Sequence, residues 1–481
     1  MHPGIAALVF AAGILGLFWL DRDPKARTSK ALWIAVIWLS IAGSRSVGQW
    51  IGTLHGDTIT DTTSAESMYT DGSPTDRLVY SVLLLAGLIV LATRRRRVFE
   101  VLRANWPLAA FFAYCAFSIM WSDYPDVAFK RWIKSLGDVV MVLIVLTDRD
   151  RYAAIKRVLT RTGFLLIPIS VLFIKFYPAL GRAYAQWFWT PYYIGVTTNK
   201  NELGRISLLF GLGFLWRFLN ALRNPQHSAR NRQLLAFAAC LAMVFWLFWM
   251  AHSMTSLSCF LLAGSLLIVT SFRTVARRPW VVHLMVFAIF SVSITVLFLD
   301  MGSGVLSTMG RDPTLTGRTE IWKLVLGMTG NPLVGTGFES FWLGKRLEKM
   351  WSIYWWHPRE AHDGYIEVFL NLGWLGIVMF GIVLVTGYRT VMNAFRRNAE
   401  EGKLRLAYLV AAVAYNFAES AFGPLSLTWI FFLLATFTVP GGWIKTQPRK
   451  AALATEITPP VSVLTSQLSP AFASGTDAVP H

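Results

Sequence analysis

The stretch "HPREAHDGYIEVFLNLGWLG", residues 357–376, leads from a polar loop into an apolar run that continues to Tyr388. At ~1.5 Å per helical residue, such a run crosses a hydrocarbon core ~30 Å thick. Tyr365, Phe369, Gly373 and Gly376 fall on roughly one helical stripe, where the glycines let a neighbouring helix approach closely. His362 and Asp363 then stand at the mouth of the span. They either cap a buried helix or display chemistry at a membrane surface.

Runs of the same kind recur over 3–20, 31–51, 77–93, 106–121, 135–147, 162–178, 203–220, 234–251, 255–272, 280–300, 363–388, 405–421 and 424–439. The chain of 481 residues is 54% hydrophobic and only 15% charged, with a mean hydropathy of +0.48, a composition that suits lipid better than water. Lipid leaves backbone groups no water to bond, so the spans are expected to be helices, and the short alternating strands of a transmembrane barrel are not in the pattern. The expected fold is all-α, a polytopic membrane protein of about twelve or thirteen transmembrane helices.

The net charge of +18 does not form one basic face for nucleic acid. It is dispersed in clusters between spans: Arg94–Arg97 with Arg103, Arg149–Arg161, Arg223–Arg232, Arg273–Arg278 and Arg389–Arg405. All fall on one side, which the positive-inside rule makes cytoplasmic. The opposite side includes 52–76, with Asp57, Asp61, Glu66, Asp71 and Asp76, and is expected to be external. The run Pro3–Leu20 has Arg22, Lys25, Arg27 and Lys30 after it and no basic residue before it, the reverse of a secretory signal, and reads as a retained span. Cys115, Cys240 and Cys259 lie singly in apolar stretches and read as core residues.

Three external segments are long: 52–76; 179–202, rich in Trp and Tyr; and 301–362, whose "GRTEIWKLVLGMT" and "FESFWLGKRLEKMWSIYWW" have the spacing of amphipathic helices lying on a membrane. Residues 1–446 are expected to form the bundle, with 301–362 as a cap over an active site. Residues 447–481, rich in Pro, Ser, Thr and Ala, read as a disordered cytoplasmic tail.

Polar residues collect externally. "GRDPTLTGRTEIW" supplies Arg311, Arg318 and Glu320, and "TTNKNELGR" supplies Lys200 and Arg205. Arginine's fixed fork of donors suits diphosphate oxygens. Each has a plainer reading: Arg318 as the partner of Glu320, Lys200 and Arg205 as a charged helix end, His362 as a capping residue. Trp187, Trp189, Trp351, Trp355 and Trp356 could stack on sugar rings, but interfacial anchoring is favoured. Arg45 and Asp138 are ionisable residues inside spans, costly unless paired, and pairing with each other would support an external cavity. Asp21-Arg22-Asp23 and Asp148-Arg149-Asp150 imitate a metal-binding DxD but sit at cytoplasmic span ends, which explains them without a metal.

The order "WSDYPD", "NKNELGR", the Ser-x-Thr element of "HSMTSLS", "TGRTEIW", "NPLVGTGFESF" and "HDGYIEVFLNLGWLG", over residues 115–435, resembles the O-antigen ligase and polysaccharide polymerase superfamily, most of all its exopolysaccharide-polymerising branch. The resemblance implies a metal-independent, cofactor-free glycosyltransferase in the bacterial inner membrane, with its site on the periplasmic side. Its partners would be membrane lipids, an undecaprenyl-diphosphate-linked glycan donor and a glycan acceptor, with chain-length and export proteins as further candidates and no nucleic acid. The acceptor hydroxyl would attack the anomeric carbon and the lipid diphosphate would leave.

On this resemblance Arg318 would hold the diphosphate, and His362, as a neutral imidazole, would serve the acceptor. Lys200, Arg205, Arg311, Asp363, Tyr365 and Glu320 would line the substrate. Relatives usually carry Lys or Arg where this chain has Met254, so Lys200 or Arg205 is expected to supply that charge. Two alternatives are a ligase that passes the glycan to a lipid A core and, in another class, a transporter or flippase, which would need intramembrane charges along a two-sided path.

Overall fold

A computed structural model describes residues 2–23, 26–55, 73–184, 190–224, 229–298 and 315–440. Arg311, Trp187, Trp189, most of the segment 52–76 and the tail 447–481 lie outside these residues. Six helices are long and apolar enough to cross a membrane: Pro3–Leu20, Pro74–Thr93, Arg151–Phe176, Lys200–Arg223, Arg230–Ala251 and Gly364–Arg397. Shorter apolar helices are Leu32–Ala42, Trp106–Trp121, Met254–Val269, Pro279–Val292 and Leu427–Thr436. Leu8, Leu15, Val82, Leu85 and Phe287 stand exposed on the outer helices. That surface is poor for water and suits a protein embedded in a membrane.

Several expected boundaries move. The 135–147 span is the end of a longer helix, Pro125–Leu146, and the 162–178 span belongs to Arg151–Phe176, so much of the basic segment Arg149–Arg161 is helical. That helix starts where the Asp150 carboxylate accepts from the Ala153 amide at 3.0 Å. The 31–51 span breaks into Leu32–Ala42 and Val47–His55. The external segment 179–202 contains a two-stranded antiparallel ladder, Arg182–Tyr184 with Pro191–Tyr193, a small exception to the all-α expectation.

The 363–388 span is not one smooth helix. Gly373, with φ 65° and ψ −165°, breaks the Gly364–Arg397 helix in the membrane half of the opening stretch. The break frees backbone groups that lipid cannot satisfy. The segment "NPLVGTGFESF" docks there and satisfies them. Thr336 N donates to Leu370 O at 3.1 Å and Gly337 N to Asn371 O at 2.9 Å, while Trp374 N reaches Pro332 O at 2.9 Å and Leu375 N reaches Leu333 O at 3.1 Å. Tyr114 donates to a further carbonyl there, Leu372 O, at 2.9 Å. A Cβ on Gly373 would run into the Leu333 carbonyl, and one on Gly335 into the backbone of Asn371. These glycines are therefore needed for a close backbone crossing, and the expected single stripe from Tyr365 to Gly376 is interrupted.

The centre of the bundle is the pair Ala399–Asn416 and Leu427–Thr436, both buried along nearly their whole length. Asp138 and Arg45 do not pair. Asp138 accepts from Trp38 Nε1 at 2.8 Å and from the Leu425 amide at 2.9 Å. Arg45 donates to Leu180 O at 2.5 Å and lies over Trp50. The acidic pairs at span ends are also structural: Asp21 pairs with Arg217, and Asp148 accepts from the Ser29 amide and faces Arg94 at 3.6 Å. The three cysteines are buried and free.

Candidate active site

Within 315–362 two helices form, Leu315–Gly327 and Gly344–Ile353. Ile321, Val325, Phe341, Trp342, Leu347 and Met350 close a small apolar core with Leu370. This core lays the segment against the start of the Gly364–Arg397 helix. The turn before that helix is then fixed by polar bonds: Trp351 Nε1 donates to Pro358 O at 3.1 Å, Trp322 Nε1 to Ala361 O at 2.8 Å, and the Ala361 amide to Glu367 Oε1 at 2.6 Å. His362 follows in the left-handed region, φ 53°, a conformation non-glycine residues seldom adopt. The polar bonds on either side hold this conformation in place.

The imidazole Nδ1 lies 3.1 Å from Glu360 Oε1 and 3.1 Å from Glu419 Oε2. The other oxygen of Glu419 accepts from Asn201 Nδ2 at 3.0 Å and stands 3.7 Å from Arg318 Nη2. Arg318 Nη1 donates to Ala418 O at 2.9 Å. The structure thus brings His362 and Arg318 together through Glu419. The Trp356 ring lies 6.0 Å from the His362 ring.

Burial opposes a charged imidazole, but the carboxylates of Glu360 and Glu419 outweigh it and hold the His362 pKa up at about 10. The resting group at neutral pH is an imidazolium, not the neutral imidazole the sequence suggests. An imidazole with two carboxylates is also a donor set that a divalent cation can use. In this structure the same groups form ion pairs, His362 with Glu360 and Glu419, and Arg318 with Glu419.

The other expected site residues divide. Asp363 is the N-cap of its helix, accepting from Tyr365 N at 2.8 Å and Ile366 N at 3.0 Å. Burial pushes its carboxyl up to about 6, although those amides and Arg318 favour its charge. The Tyr365 hydroxyl donates to Val413 O at 3.1 Å and its ring packs on Phe417. Both side chains thus hold structural hydrogen bonds at the start of the helix. Glu320 is exposed, acts electrostatically on Tyr354, and is not the partner of Arg318.

Arg205 is half-buried and paired with Glu202 of its own helix, so the charge expected to stand in at Met254 is already engaged with a carboxylate. Lys200 is exposed at the first turn of the Lys200–Arg223 helix, next to Asn201. Gly204 on that helix packs on Ser253 and Ser256, so the "NKNELGR" and "HSMTSLS" elements do meet.

Sequence reasoning missed Glu360, Asn201 and Glu419. The signal for Glu419 was present: an acidic residue inside the expected 405–421 span carries the same cost that singled out Arg45 and Asp138.

Residues 235–381 match the family model described as O-antigen ligase, a segment that includes Arg318, Glu360 and His362. The exopolysaccharide production protein ExoQ of Rhizobium meliloti (strain 1021) is 26% identical over 325 residues, covering 64% of this chain and 70% of the relative. The chain is thus similar to O-antigen ligases over residues 235–381 and to an exopolysaccharide production protein over most of its length, and its apolar helices suit a membrane-embedded protein.

Proposed function

We propose that the chain is a membrane glycosyltransferase that polymerises undecaprenyl-diphosphate-linked oligosaccharide repeat units into exopolysaccharide at the periplasmic face of the inner membrane, without a metal. The observation that carries this reading is the convergence of Arg318, His362 and Glu419, three residues far apart in sequence, into one charged network at the helix ends that the loop charges make external. Transfer from a lipid diphosphate develops negative charge on the leaving group, which calls for cations held in place beforehand. Arg318 supplies a planar fork for that purpose, and Lys200 is exposed at the first turn of a neighbouring helix. The acceptor hydroxyl needs a group to orient it and receive its proton. The His362 cluster contains such groups.

The matched family description supports a second reading, transfer of the same donor to a lipid A core. A flippase is disfavoured because the network gathers at one end of the bundle rather than along a two-sided path. Purified protein in vesicles, supplied with undecaprenyl diphosphate glycan, separates the three. Release of lipid diphosphate with chain growth supports polymerisation. Release only when lipid A core is added supports the ligase, and movement of intact lipid between leaflets without release refutes both.

A further inference from the structure

The His362 Nδ1 carries one N–H, yet two carboxylates face it at equal distance, Glu360 Oε1 and Glu419 Oε2, each 3.1 Å away. One proton makes one good hydrogen bond. The network therefore holds one carboxylate more than the histidine requires. The two are not alike. The side chain of Glu419 is 10% exposed and is tied down by Asn201 and Arg318. That of Glu360 is 36% exposed, in the turn between Trp356 and His362, on the open side of the site.

Resting on the glycosyl-transfer reading above, we propose that Glu360 receives the proton of the acceptor hydroxyl, while His362, its Nδ1–H kept by Glu419, works as an imidazolium that faces the departing diphosphate together with Arg318. The acceptor O–H proton moves to a Glu360 oxygen as the hydroxyl oxygen bonds to the anomeric carbon. The bond from that carbon to the diphosphate oxygen breaks with its electron pair left on the diphosphate, whose charge His362 and Arg318 neutralise. Glu360 later returns its proton to water. Glu419 is a positioning residue: it holds the imidazolium on one oxygen and stays close to the guanidinium with the other.

The charged groups around Glu360 and His362 come from every neighbouring element. They are Glu419 after the Ala399–Asn416 helix, Arg318 on Leu315–Gly327, Asp363 at the cap, and Arg205 of the Lys200–Arg223 helix, whose charge Glu360 feels. Glu339 and Glu367 lie close enough to interact electrostatically with Glu360. None of these replaces the histidine as a cation pointed at both carboxylates.

The test uses full-length protein in vesicles with undecaprenyl diphosphate glycan, after the wild type is shown to extend chains. A wild type that makes no product defeats the underlying reading and leaves the variants unneeded. With an active wild type, Glu360→Gln should lower kcat by roughly 10²–10⁴-fold with the donor KM little changed. His362→Lys, which keeps a cation but is a poor substitute for a neutral base, should exceed His362→Ala by at least about tenfold.

Glu360→Gln within about fivefold of wild type overturns the proposal. So does a His362→Lys protein of normal thermal stability that is no better than His362→Ala. If His362→Lys does not fold, Glu360→Gln decides alone. Activity lost to a chelator and restored by Mg²⁺ or Mn²⁺ would assign the three side chains to a cation and also overturn it.

Discussion

Raising the pH separates two roles for His362. Its pKa is held at about 10, above the ordinary imidazole value of 6.5, so the charged form persists far into the alkaline range. At pH 7 only about one imidazole in a thousand is neutral. A neutral His362 acting as the proton acceptor would make kcat/KM climb about tenfold per pH unit from roughly pH 7 to pH 10, about 10³-fold in all. An imidazolium acting on the diphosphate predicts the opposite: kcat/KM flat over that window and falling about tenfold per unit above it.

The assay is chain extension at low donor across that range, normalised to folded protein. The normalisation matters because a raised histidine pKa stabilises the fold fully below the unfolded value near 6.5, and that contribution disappears as pH rises through about 10. A steep climb between pH 7 and pH 10 that vanishes in His362→Lys would refute the imidazolium role.

Other perturbations read other parts of the reasoning. Gly373→Ala should cost ~3–5 kcal/mol, from ~1–3 of backbone strain and the loss of two interlocking hydrogen bonds at ~1 each. Gly381→Ala, in open space on the same helix, should be neutral or slightly stabilising, and equal thermal shifts for the two in detergent would contradict the broken-helix account. Asp363→Ala should lose about 1 kcal/mol of stability as a missing cap and leave activity within about tenfold once folded protein is counted; a complete loss of product from stable protein would return Asp363 to the substrate. Arg318→Lys keeps the charge but not the fork, and should raise the donor KM by about tenfold with a smaller change in kcat. An unchanged KM for that variant would remove Arg318 from the diphosphate.

What the sequence made legible was what periodicity and loop charge encode. Apolar runs marked a helical membrane protein, though several span boundaries moved, and the polar mouth of the 357–376 stretch drew attention to His362. Periodicity could not locate the break at Gly373, because the residues on either side are equally apolar and the cause lies forty residues upstream, in the crossing segment beginning at Asn331. Nor could it assign Asp363 and Tyr365. Their hydrogen bonds go to their own helix and to the carbonyl of Val413, partners that only the packed bundle reveals. Arg318 beside Glu320 suggested a local pair, yet the chain turns Arg318 toward Glu419, a hundred residues later.

The charge of the resting network bears on how a donor could enter it. Arg318 and the His362 imidazolium face Glu360 and Glu419, two cations against two anions, so the cluster is balanced before any diphosphate arrives. A diphosphate would leave it in deficit of positive charge, and a buried or half-buried deficit is costly. Arg205 cannot make it good while it holds Glu202, and Met254 carries no charge. Lys200 is exposed one residue before the Asn201 that bonds Glu419, so a positive charge stands on the chain next to the network. Protonation of Glu360 by the acceptor works in the same direction: it removes one negative charge from the cluster in the step in which the leaving group gains one. A base that is itself a member of the network thus keeps the site near neutrality through the reaction. A neutral histidine would do the same only after first shedding the proton that both carboxylates hold in place.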